Sequence, residues 1–173
     1  MTSDGDSVRP TPEENRTVTS CIVSRDSTAM LEFLKKAFGA EEIFRYHHDD
    51  GSVGHAEARI GDSIVMLFDG KPEWPPTPCF LRLFVDDADA FYERALAAGA
   101  VPVTRVVEHF FGDRVGRVRD PFGNIWILQT HVADVQAGEL ARRSMERKYA
   151  DAMRYDRETL ARPVDPGAER GAS

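Results

Sequence analysis

Two periods of hydrophobic and polar positions alternate along this chain, and the switches between them mark its elements. Residues 16–23 (RTVTSCIV) alternate with the period of a strand. From Ser27 the period lengthens: Met30, Leu31, Leu34 and Phe38 form the apolar stripe of a helix over residues 27–38. Asp26 is its predicted N-cap and Gly39 its stop. Residues 43–46 predict a short strand, and 47–51 a turn ending in Asp50-Gly51. Residues 55–60 and 63–68 predict a hairpin around Gly61-Asp62. A linker rich in proline, KPEWPPTPC, precedes a strand at 80–85 and a helix that Asp86 or Asp87 caps and Gly99 closes. Residues 101–107 predict another strand. The stretch FGDRVGRVRDPFGNIWILQTH (111–131) then reads as two strands joined by the turn Asp120-Pro121-Phe122-Gly123. Its run Ile125-Trp126-Ile127-Leu128 has the pattern of a strand covered on both faces.

The order repeats. Asp26 matches Asp86 and Gly39-Ala40 matches Gly99-Ala100 at an offset of 60, while Gly54 matches Gly116 and Gly61 matches Gly123 at 62. Each half reads β-α-β-β-β, the signature of a duplicated unit of about 60 residues. A four-stranded sheet with a helix on one face leaves the other face open, and two such halves can close their open faces around a cavity. The expected organisation is a disordered tail at 1–15 and a domain at 16–131 built of modules 16–70 and 79–131. A helical extension at 132–160 and a flexible tail at 161–173 follow. The extension carries sparse apolar positions at Leu140, Met145, Tyr149, Met153 and Leu160, as suits a surface helix or one packed on a partner subunit.

Composition narrows the setting. The 173 residues carry a net charge of −7, which argues against nucleic acid as a partner. No apolar run approaches the roughly 20 residues that span a bilayer. The N-terminus has no apolar signal segment, and the two cysteines, Cys21 and Cys79, give no disulfide framework, so a cytoplasmic location is expected.

Three stretches, AFGAEE (37–42), HAEARIGDSIVML (55–67) and GDRVGRVRDPFGNIWILQTH (112–131), together with the paired modules, resemble the vicinal oxygen chelate superfamily. It includes glyoxalase I, bleomycin-resistance proteins, fosfomycin-resistance enzymes and extradiol dioxygenases. Within it the chain looks most like the PhnB-like branch. The resemblance implies an α+β fold of paired βαβββ modules forming a curved sheet around a cavity, plus a C-terminal helix. It also implies a homodimer. Metal enzymes of this family take one His or Glu ligand from the first and last strand of each module. Carried over by position, those places hold Thr19, Val65, Phe80 (Cys79 with a one-residue shift) and Ile127. Such side chains cannot hold a divalent ion as imidazole and carboxylate do, so no metal and no other cofactor is expected.

Strand alternation then assigns the cavity side chains. His55, Glu57 and Arg59 share a face with Ser63, Val65 and Leu67. In the second module the set is Phe80, Arg82, Phe84, Arg117, Arg119, Ile125, Ile127 and Gln129. The opposite parity, including Ile64, Met66, Trp126 and Leu128, is apolar and suits packing under helices. An Arg-rich cavity must be wet, salt-bridged or filled by a polar ligand, because dry unpaired charge costs several kcal/mol. Glu57 is a candidate partner for Arg117 or Arg119 across the modules. His55 oriented by Glu57 is the candidate acid–base pair. His109 and Phe111 sit in a candidate lid loop. Trp74, on the linker, offers either a plug between the modules or an aromatic face to a flat ligand. The expected function is metal-free binding of a small, partly aromatic or anionic molecule, of the antibiotic-sequestering type. The alternatives are a metal-independent isomerase, cyclase or lyase, and a metal enzyme with displaced ligands such as His55, Glu57 and Cys79.

Overall fold

A computed structural model of the protein describes residues 16–160, and the two predicted tails lie outside them. The first module runs β1 (Ser20–Ser24), α1 (Ser27–Phe38), β2 (Glu41–His47), β3 (Val53–Ile60) and β4 (Ser63–Asp69). The second runs β5 (Phe80–Phe84), α2 (Ala88–Ala97), β6 (Val101–Glu108), β7 (Asp113–Arg119) and β8 (Ile125–His131). Each sheet has the same order, β1-β4-β3-β2 and β5-β8-β7-β6, with the first pair of each parallel and the rest antiparallel.

The caps form as the residues demand. Asp26 accepts from Ala29 N at 2.8 Å, and Gly39 closes α1 with φ of 68°. In α2 the cap is Asp87 rather than Asp86, so the caps repeat at an offset of 61. Behind each helix a strand-end side chain ties the next element down. Asp69 accepts from Ser27 N and Val53 N, and Thr130 accepts from Ala88 N.

The helix-covered sides of both sheets share one core. α1 packs against α2, and the Phe38 ring lies 4.8 Å from that of Trp126. Ile22, Met30, Leu31, Leu34, Leu67, Trp126 and Leu128 are fully buried there. Their burial, at about 1.5–3 kcal/mol per large apolar side chain, is the main force holding the modules together.

One parity assignment is corrected. Gly61 and Asp62 form a two-residue loop, so Ile60 and Ser63 are cross-strand partners and must share a face. Ala58 pairs with Val65 and Ala56 with Leu67, which places Val65 and Leu67 under the helices. Ile64, Met66 and Phe68 take the helix-free face beside Glu57 and Arg59. The second module follows the expected parity throughout.

The C-terminal extension is two helices, α3 (Ala137–Ser144) and α4 (Arg147–Leu160), not one. α4 lies on β6 of its own chain. Its buried residues are Tyr149 and Asp156, while Met145, Met153 and Leu160 of the sparse apolar set are exposed. Spacing of i and i+7 puts Tyr149 and Asp156 on one side of the helix, and that side is the one that docks.

Candidate functional site

The predicted site residues fall into four groups. On the helix-free face of the first sheet, His55 Nε2 lies 3.0 Å from Glu57 Oε1. Cross-strand pairing sets Tyr46 beside His55 and both Phe44 and Met66 beside Glu57. Phe44 and Tyr46 are 52% and 51% exposed, so this face shows aromatic surface around a polar pair. Arg59 occupies the same face one pair further along.

On the second sheet, Arg82 donates to Gln129 Oε1 at 2.6 Å, and Gln129 donates to Asp113. Asp113 in turn holds His131 Nδ1 at 2.6 Å, and His131 Nε2 meets Asp134 at 3.0 Å. The two carboxylates raise the His131 pKa, Asp113 contributing most. Arg82 lies between Phe80 and Phe84 along β5; both phenylalanines are more than half exposed, and Ile127 is buried beside Arg82 in the ladder. Arg114 makes a double hydrogen bond to Asp89 of α2, 2.8 Å each, which draws the Asp89 carboxyl below its ordinary pKa.

The third group is buried under α4. Asp156 Oδ2 lies 3.1 Å from His109 Nε2 and 3.2 Å from Arg117 Nη2. Arg117 Nη1 also donates to Thr104 Oγ1 and to the Asp156 carbonyl. Two expectations fall here. His109 is 3% exposed and packs edge-on to Phe111 at 5.0 Å, so it is a buried group beneath α4 and not an exposed lid group. Nor does Glu57 reach across the modules: its partner is His55, and the partner of Arg117 is Asp156. Asp156 escaped sequence reading because a carboxylate in a highly charged helix looks solvated. Its spacing from Tyr149 was the available signal.

The fourth group joins Trp74 and Arg119, which line one cavity of about 360 Å³ between the linker, the end of β1 and the β7–β8 turn.

With the corrected parity, the positions that correspond to metal ligands hold Thr19, Met66 in place of Val65, Phe80 and Ile127. None is an imidazole or a carboxylate. Among the described residues no three His, Cys, Asp or Glu side chains converge, so His55, Glu57 and Cys79 make no displaced set. Cys79 instead donates its thiol to the Cys21 carbonyl at 3.3 Å, and burial raises both thiol pKa values. These residues do not fit a divalent ion.

Two duplicated βαβββ units, fused through their α1 and α2 sides, each present the opposite face of the sheet, covered by α4 only along β6 and β7 of the second, and define a paired-module protein. The chain belongs to the Glyoxalase/Bleomycin resistance protein/Dioxygenase superfamily, whose family pattern matches residues 16–128. The uncharacterised protein Rv0887c of Mycobacterium tuberculosis is 39% identical over 130 residues, covering 69% of this chain and 76% of that protein. TioX from Micromonospora sp. ML1 aligns at a TM-score of 0.56 with 26% identity, over 66% of this chain and 99% of TioX. A PhnB protein from Bacillus cereus shares the fold at a TM-score of 0.53 and 16% identity, over 66% of this chain and 99% of its own.

Proposed function

We propose that this protein binds a small, partly aromatic or anionic molecule on its helix-free faces without a metal ion, as a sequestering protein of the resistance type. The observation that carries this reading is the character of those faces. Exposed Phe44, Tyr46, Phe80 and Phe84 surround the His55–Glu57 pair on one sheet and the Arg82–Gln129 pair on the other. Aromatic walls with a few oriented polar groups are the usual lining of a small-molecule site. Exposed apolar patches of this kind also call for a cover, and a second copy of the chain in the cytoplasm is the proposed one.

His55 beside Glu57 at 3.0 Å supports a second reading, a metal-independent acid–base enzyme. The two share a site and differ in turnover.

The test combines three measurements on the purified chain. Mass spectrometry without added metal should find far less than one ion per chain. Analytical ultracentrifugation should give a dimer. A thermal-shift screen of aromatic acids and antibiotics should yield ligands whose shift falls in His55→Ala and Arg82→Ala. One bound Ni, Zn, Mn or Fe per chain would overturn the metal-free reading. Ligand shifts that both variants leave intact would move binding off these faces, and chemical conversion of a ligand would replace sequestration by catalysis.

A further inference from the structure

The cavity that holds Trp74 and Arg119 contains none of the groups assigned to binding under the proposed function, and its electrostatics are unbalanced. Two guanidiniums line it, Arg25 and Arg119. Arg25 donates to the carbonyls of Gly70, Lys71 and Trp74, which pins the linker but leaves the positive charge uncompensated. Arg119 has no ion-pair partner among the described residues, and its Nε is buried and hydrogen-bonded to nothing. Asp120, its chain neighbour, is fully engaged by donors from Phe122, Asn124 and Trp126. In a chain with 29 acidic and 22 basic side chains, a cavity with two arginines and no carboxylate needs an explanation.

Apart from Ser24 and Thr77, the remaining wall is apolar. It includes Trp74, Phe122, Pro76 and Pro121. Proline fixes its own backbone, so such a wall loses little freedom when a ligand enters. Its volume of about 360 Å³ is in the range of small-molecule sites. A guanidinium fork matches the two oxygens of a carboxylate, and the indole and proline faces match a planar ring.

We infer that this cavity is a separate binding site for a planar aromatic carboxylate, with Arg119 receiving the carboxylate and Trp74 the ring. The test uses 1-naphthoate and its neutral analogue 1-naphthamide on the full chain, followed by calorimetry and tryptophan fluorescence. Trp126 is fully buried, so quenching reports Trp74, which is 42% exposed. Naphthoate should quench and should bind about tenfold or more tightly than the amide, since a charged hydrogen-bonded pair is lost in the latter. Arg119→Gln should weaken naphthoate by a similar factor, Arg119→Lys should retain part of the affinity, and added salt should reduce it. Quenching of Trp74 should be unchanged in His55→Ala, which separates this site from the His55 face of the first sheet whatever else naphthoate binds there. Equal quenching by acid and amide, no quenching at millimolar naphthoate, or loss of quenching in His55→Ala would each overturn the assignment. Should Arg119→Gln fail to fold, the comparison of acid and amide on the unaltered chain decides.

Discussion

Substitution of Asp120 tests the logic of the β7–β8 turn and, through it, of the linker cavity. Asp120 is 2% exposed, and its carboxylate is held by hydrogen-bond donors. Its Oδ1 accepts from Phe122 N and Asn124 N, both at 2.9 Å. Its Oδ2 accepts from Asn124 Nδ2 at 2.8 Å and from Trp126 Nε1 at 2.9 Å. Asn124 then passes the constraint on, its Oδ1 accepting from Cys79 N at the start of the second module. Asp120→Ala orphans three donors on residues that are essentially fully buried, Asn124 N, Asn124 Nδ2 and Trp126 Nε1. Each costs about 1–3 kcal/mol. Relief of carboxylate desolvation returns part of this, so the expected net loss is about 3–5 kcal/mol. Asp120→Asn keeps one carbonyl acceptor but turns an amide N–H toward the donors of Asn124 and Trp126, for a loss of about 2–4 kcal/mol. Urea denaturation followed by tryptophan fluorescence measures both, and near-ultraviolet dichroism shows whether Trp126 keeps its environment. A stability for Asp120→Asn within about 0.5 kcal/mol of the unaltered chain would refute the four-donor account.

Three further outcomes follow from the geometry. Asp156→Ala leaves Arg117 and His109 buried without their partner and should cost about 3 kcal/mol, read as lost hydrogen-exchange protection in α4 with the core strands still protected; protection unchanged in α4 would show that apolar contacts alone hold it. Gly112 has φ of 90°, and a Cβ there would collide with the Ala133 carbonyl, so Gly112→Ala should lower stability by about 3 kcal/mol in thermal unfolding. The raised pKa of His131 means that its imidazolium stabilises the folded state fully below the ordinary value of 6.5 and that this contribution is lost as pH rises through the raised value. The Tm advantage over His131→Gln should therefore shrink from about pH 6 to about pH 9, and a pH-independent difference would exclude the charge as its source.

Periodicity, caps and turns were legible in the sequence because each is a local matter. Asp26, Gly39 and the Asp120–Gly123 turn act through neighbours within a few residues, and the duplicated pattern announces two modules. The resemblance to the superfamily was legible for the same reason, since its motifs are the strands and turns themselves. Even the misplaced face of β4 was decidable locally: a two-residue loop forces Ile60 and Ser63 onto one side, and that constraint outranks the count of alternating positions.

The tertiary structure alone decided which charges meet. Glu57 pairs with His55 on its own strand, and Arg117 pairs with Asp156 of α4, 39 residues further along the chain. Arg114 meets Asp89 of α2, whereas Asp113, the residue before it in β7, points to the other face and meets Gln129 and His131. Charge pairing depends on distance through space and on which partner exclusion from water makes most favourable, and alternation along a strand carries no record of either. The same holds for the cavity around Arg119. Its two arginines, tryptophan and prolines come from three separate segments, and only their convergence makes a guanidinium without a counter-ion into a site.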